Sequence, residues 1–209
     1  MNANLFLFPW SRPGSDVKMP DSSWKIRTVY PDVTAAYQYD FGRSHLRLSG
    51  LLHPIAYKNT VDGNETKIGG GFNFSGDLSV SKNDDIKFQF AYGSGYARYS
   101  EGIGGQGYDG YFKNNAFNTV DLLSTWLFLD HYWNTKYSTT LGWGYLQTNG
   151  NADMGASAFR HSHYGCVDMT YYFTDFFKIA AEVLYGQRQN VDKASANDVR
   201  LQFSTFFKF

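Results

Sequence analysis

The side chains best placed to do chemistry are six bases, Arg47, Lys87, Arg98, Lys178, Arg188 and Arg200. Facing a common conduit they would form a ladder of positive charge, and a narrow passage with low-dielectric walls focuses such a field and favours anions. Asp77, Asp85, Asp168 and Glu182 stand among them, so cross-linking ion pairs are the alternative role, and the two roles are compatible. Other constellations carry less. His161 and His163 fall on one face of a strand, but no carboxylate or cysteine nearby in sequence completes a metal set. The Asp-Gly pairs at 62–63 and 109–110 are turn signals without EF-hand spacing. Gly69-Gly70-Gly71 lies within a strand pattern rather than ahead of a helix, so it cradles no phosphate. No metal or other cofactor is expected. Cys166, the single cysteine, can form no internal disulfide and lacks an activating partner. Ser49, Ser75, Ser79, Ser124 and Ser204 mostly share the polar face of their segments, with no histidine beside them on the apolar one. A lipid-facing Ser/His/Asx set is therefore not evident, and no catalytic residue is assigned.

The elements that carry these residues follow from composition and periodicity. The chain has 209 residues, with 19 Lys+Arg against 19 Asp+Glu, a net charge of zero that gives no global field for a nucleic acid. It holds 16 Tyr, 18 Phe, 5 Trp and 21 Gly at a mean hydropathy of -0.42, an aromatic yet polar composition that favours an all-β chain and excludes disorder. No apolar run reaches the roughly 18 residues of a transmembrane helix, a test to which membrane strands are invisible. The first ten residues lack the basic, apolar and small-residue regions of a signal peptide.

From residue 32 onward apolar and polar residues alternate. In 199–209 the odd positions are Val199, Leu201, Phe203, Thr205, Phe207 and Phe209, against Arg200, Gln202, Ser204, Phe206 and Lys208. The same split recurs at 32–41, 45–53, 67–81, 85–93 and 176–188, and less tidily at 117–133, 137–148 and 159–174. This predicts about nine strands with two chemically different faces. Short polar turns at 42–44, 82–84, 134–136 and 174–175 alternate with longer loops at 58–65, 100–115, 150–158 and 189–197. All short turns then fall at one end and all long loops at the other, as in an antiparallel up-and-down barrel of the outer membrane. A soluble barrel would invert the faces, but the charges on the polar face and the Tyr, Trp and Phe at the ends of the apolar one favour the transmembrane version. The glycine-rich loop 100–115, with Glu101 and Asp109, either folds inward as a constriction or remains an exposed tip. Leu122 to Leu129, apolar on its outer side, suits a subunit contact or lipid equally.

The terminal spacing Phe203-x-x-x-Phe207-x-Phe209 looks like the C-terminal signal of outer-membrane barrels. Together with Pro31-Asp32-Val33-Thr34-Ala35-Ala36-Tyr37-Gln38-Tyr39, His45-Leu46-Arg47-Leu48-Ser49-Gly50, Phe90-Ala91-Tyr92-Gly93-Ser94-Gly95-Tyr96, His131-Tyr132-Trp133 and Arg200-Leu201-Gln202-Phe203-Ser204, it makes residues 31–209 resemble the DcaP-like porin family. The resemblance implies a bacterial outer-membrane location, a homotrimer when full-length, and passive diffusion of small anionic solutes such as dicarboxylates through barrels of about 16 strands. Residues 31–209 would then be the C-terminal part of such a barrel in contact with outer-membrane lipid. Residues 1–30 would be an extracellular loop or a truncated N-terminal segment. Nine strands leave one upward strand missing before residue 32, unless Trp24 to Tyr30 helps to close a small barrel. The alternatives are a small outer-membrane barrel with an acyl- or lipid-directed enzymatic role, or a structural or adhesive one.

Overall fold

The computed structural model describes residues 2–10, 16–20, 24–58, 63–150 and 152–208. Phe209 and the loop tip 59–62 thus lie outside the described residues. In chain order the strands are β1 (Asn2–Trp10), β2 (Lys25–Arg27), β3 (Asp32–Phe41), β4 (Ser44–Lys58), β5 (Asn64–Ser79) and β6 (Asp84–Ser94). Then come β7 (Gly110–Lys113), β8 (Ala116–Thr119), β9 (Asp121–Tyr132), β10 (Tyr137–Thr148), β11 (Phe159–Thr174), β12 (Phe177–Asn190) and β13 (Ser195–Phe207). One antiparallel sheet runs β1-β3-β4-β5-β6-β9-β10-β11-β12-β13, and β7 and β8 form a separate hairpin. The nine alternating segments are β3 to β6 and β9 to β13, joined in sequence order as an up-and-down meander.

Four details differ from the sequence expectation. Residues 2–10, expected in an extracellular loop or a truncated N-terminal segment, form a strand that pairs with β3 from Asn2 opposite Asp40 to Trp10 opposite Asp32. This is the upward strand that the count lacked. Trp24 to Tyr30 does not close the sheet: β2 adds to the far end of β4, with Lys25 opposite Lys58, and the sheet stays open with β1 and β13 at its two ends. The segment 117–133 is broken at fully buried Val120 into β8 and β9. The link 189–197, expected to be long, shrinks to four residues between Asn190 and Ser195 because both strands continue into it.

The apolar face is turned outward. Tyr37, Leu48, Ile68, Leu141, Val199, Leu201 and Phe203 are all exposed, Phe203 by 75%. Their arrangement is not a straight belt across the sheet. Tyr39 lies on the same cross-strand row as Val199, through Leu46, Gly76, Phe88, Leu127, Trp143, Gly165 and Tyr185. On β3 the outward apolar residues run from that row six residues toward the loops, to Val33; on β13 they run eight residues the other way, to Phe207. The middle of the band therefore slips by about seven residues over the eight steps from β3 to β13. At about 3.3 Å per residue and 4.8 Å per strand, that slip means strands tilted by roughly 30° from the normal to the band, near the roughly 35–45° of membrane barrels. A tilted sheet can keep its greasy residues at one level only by shifting them along successive strands, so the stagger marks a flat apolar slab around the molecule.

The sheet curls around its polar face, since Thr34 on β3 and Asp198 on β13 line one cavity. Packing on this inner face comes mainly from the β6–β9 connection. Tyr96, Ala97, Ile103 and Tyr108 from this loop cluster with Leu122 of β9 and Phe159 of β11. The β7–β8 hairpin caps a second cluster of Trp24, Ile55, Tyr57 and Phe117.

Candidate functional site

The cavity on the inner face has a volume of about 1220 Å³. Strands supply its wall by alternation: Arg47, Asn73 and Gln89 face it because Leu48, Phe74 and Phe90 beside them face outward, and Ser124 and Arg188 continue the lining on β9 and β12. Part of the wall is apolar. Trp126 and Phe128 of β9 face inward, their rings 5.3 Å apart, and Phe128 lies against Gly142, where a methyl group would come within 2.3 Å of its ring.

The loop between β6 and β9 crosses this space. Ser100, Glu101 and Gly102 line the cavity with Arg47 and Arg188, and a methyl group at Gly102 would meet inward-facing Leu146 at 2.9 Å. Two glycines make room for the loop to start inward: the Tyr96 ring rests on Gly71 and Gly93, register partners without side chains. The Tyr96 hydroxyl donates to the Leu122 carbonyl at 3.2 Å, and burial makes it harder to ionise than an ordinary phenol. Of the two conformations open to 100–115, the structure takes the inward one.

Five of the six candidate bases, Arg47, Lys87, Lys178, Arg188 and Arg200, project from the inner side of their strands. Arg47 and Arg188 border the cavity; the Arg47 guanidinium lies over the Phe6 ring of β1 at 5.5 Å, and Arg188 Nε donates to Asn190 at 3.0 Å. Lys87 is paired with Asp130 at 2.6 Å, a carboxylate outside the set expected from sequence. Lys178 sits near the turn end over the rings of Tyr172 and Phe206. Lys87 and Arg200 share one cross-strand row through Phe128, Gly142, Cys166 and Leu184. Arg98 is not on the wall: it lies in a 3-10 turn of the inward loop, and its guanidinium covers the Tyr99 ring. Asp85, Asp130, Asp168 and Glu182 form an adjacent row with Thr140. The inner face thus alternates in charge rather than being uniformly basic.

His161 and His163 have ring centroids 5.8 Å apart beside Tyr145, and no group of three metal-ligating side chains occurs among the described residues. Cys166 is buried, and its thiol points toward Phe128 and Gly142. On the hairpin, Lys113 pairs with Asp153 at 2.8 Å, and that carboxylate raises the lysine's proton affinity.

Sequence reading missed a cluster that holds the inward loop. His53 of β4 stands between Asp32 of β3 at 2.6 Å and Asp109 of the loop at 3.4 Å, all three almost fully buried. The Tyr99 hydroxyl donates to Asp32. The Arg98 and Asp16 backbone N–H groups donate to Asp109 at 2.9 and 2.7 Å. The Asp16 carboxylate in turn accepts from Gly105 and Gly107 at 2.8 and 2.7 Å. Residues 16, 32, 53 and 109 share no local spacing; only the pairing of β3 with β4 and the return of the loop bring them together.

A curled antiparallel sheet with staggered apolar residues outside and a polar cavity narrowed by its own loop has a solved counterpart. The outer membrane channel DcaP of Acinetobacter baumannii matches at TM-score 0.82 with 18% identity, over 99% of this chain and 59% of that one. The fold is that of an outer-membrane channel. This chain spans about three fifths of that channel's length, and the relation to DcaP-like porins read from the sequence holds at the level of fold. The neighbour is a channel, not an enzyme. No family model and no curated protein sequence matches the chain.

Proposed function

We propose that the chain forms the wall of an outer-membrane channel in bacteria, one that lets small hydrophilic solutes diffuse passively and prefers anions such as dicarboxylates. The observation that carries this reading is the pairing of opposites across one sheet: a tilted apolar band outside, and inside it a wet cavity crossed by a fastened loop. The band offers the outer surface to lipid. The polar face supplies hydrogen-bonding groups that replace part of a solute's hydration as it passes.

Selectivity on this reading comes from Arg47 and Arg188, which border the cavity opposite the loop. An anion there meets two guanidinium groups, while the Glu101 carboxylate on the loop repels it toward them. Lys87 contributes less, since Asp130 already neutralises it. Assembly into a homotrimer belongs to the same proposal, with the remaining strands of the barrel supplied beyond the ten seen here.

Planar-bilayer recording of the refolded chain under a salt gradient tests it. Stable conductance steps with a reversal potential favouring anions are expected. Steps that favour cations would remove the anion preference, and silence together with absent heat-modifiable migration would remove the channel reading for this chain.

A further inference from the structure

We propose that His53, charged and held between Asp32 and Asp109, is the positioning residue that keeps the inward loop across the cavity, so that loss of its proton frees the loop. The consequence for permeation rests on the channel reading above; the fastening itself does not.

A neutral imidazole has one ring nitrogen that donates and one that accepts. Here both nitrogens face carboxylates, Nδ1 toward Asp32 at 2.6 Å and Nε2 toward Asp109 at 3.4 Å. A neutral ring would turn a lone pair on one of them; an imidazolium donates to Asp32 and attracts Asp109. The second contact is an ion pair without an aligned hydrogen bond, since Nε2 has no hydrogen-bond partner. Charge, more than an aligned bond, therefore couples His53 to Asp109, whose carboxylate is otherwise held by the Arg98 and Asp16 N–H groups, and charge is what a change of pH removes. The other groups around the ring are Tyr99, edge-on at 5.9 Å, and Arg98, whose guanidinium covers the far side of Tyr99. Asp16 reaches the cluster through its backbone, its N–H donating to the Asp109 carboxylate and its carbonyl accepting from the Asp109 N–H.

The two carboxylates are anchored unequally. Asp32 begins a strand held by its pairing with both β1 and β4, whereas Asp109 belongs to a connection. When the imidazolium loses its proton, Asp32 and Asp109 are left buried without a cation between them, a costly arrangement. The strain is relieved on the side that can move, which is the loop. Histidine loses its charge between about pH 5 and pH 8, and acid strong enough to protonate carboxylates, below about pH 4, would undo the same contact from the other direction.

The test is hydrogen–deuterium exchange of the full folded chain in lipid, read on peptides covering 98–109 and corrected for the intrinsic effect of pH. Between about pH 6 and pH 8.5 loop exchange in the unaltered chain should rise by about tenfold, as an opening equilibrium linked to loss of the His53 proton requires. His53→Asn should exchange fast at both values with no step, and Asp109→Asn should do the same while leaving the Asp32–His53 contact. Peptides of β10 report whether each variant keeps its sheet; if one does not, the pH series of the unaltered chain decides alone. A flat series, or a step retained by His53→Asn, overturns the proposal. Bilayer recording over the same range separates the two claims. A pH step in exchange with no conductance at any pH overturns the channel reading and leaves the fastening intact, whereas conductance with flat exchange does the reverse.

Discussion

Gly142 and Gly186 look interchangeable in sequence, single glycines in alternating strands, yet only one is required. At Gly142 a methyl group would meet Phe128 at 2.3 Å and the Cys166 thiol at 2.6 Å; at Gly186 it would meet nothing within 4 Å. Gly142→Ala should destabilise the sheet by about 1–3 kcal/mol, the usual range for overpacking, and Gly186→Ala by less than about 0.5 kcal/mol, as measured by urea unfolding in lipid vesicles. The bases make a second prediction at this scale. Arg200→Glu combined with Lys178→Glu should move the reversal potential toward cations, and an unchanged potential would show that neither faces the conducting path. Which side of a strand each base occupies was legible, because alternation fixes it. The environment of each base was not. Arg98 is close in sequence to β6 but past its end, and the partner of Lys87 lies on β9, which pairs with β6 only after an intervening hairpin.

Elements were legible where one face meets an apolar medium and the other water, and illegible where both meet the same thing. On β1, Leu5 and Leu7 are exposed by 68% and 66%, while Phe6 faces inward beneath Arg47; apolar residues on both faces erase the period of two. At the loop ends of β12 and β13 the reverse holds. Gln187, Gln189, Ser195 and Asn197 continue the outward rows beyond the apolar band, so a polar stretch that looks like a loop is still paired backbone. The β7–β8 hairpin turns on Asn114 and Asn115, both with positive φ of 50° and 62°, a two-residue turn of the type that suits a hairpin. The inward loop starts from Tyr96 on its glycine floor. Tyr96→Ala should raise unitary conductance by loosening the loop, with heat-modifiable migration preserved because no strand pairing is touched.

At the scale of the whole molecule, the staggered band predicts where lipid begins. Phe203 lies in the middle of the band on β13, and Asn197, on the same outward side, lies beyond its edge. Phe203→Arg should cost about 2–4 kcal/mol of stability in vesicles and Asn197→Arg about 0–1 kcal/mol, the difference between the midplane of a bilayer and its interface. Equal costs would place the apolar slab elsewhere. The up-and-down order of nine strands was legible in sequence because each connection is local. The open edges at β1 and β13 were implied only by the resemblance to a larger barrel, and the curl around a cavity was not legible, since it depends on how the strands tilt together.

The charged partners that fasten the inward loop all precede it in the chain. Asp16, Asp32 and His53 meet residues 98–109 across separations as large as 93 positions, so this fastening waits until β3 and β4 have joined the sheet, and before that the loop has only its contacts with β9 and β11. Closing so long a stretch of chain is entropically expensive until the strands have brought its ends together. If insertion begins at the C-terminal strand, the passage is widest while the wall is being built and narrows at the final step. The order of assembly then guards the membrane less well than the finished protein does, and the time during which the loop hangs free is set by how quickly the N-terminal strands arrive.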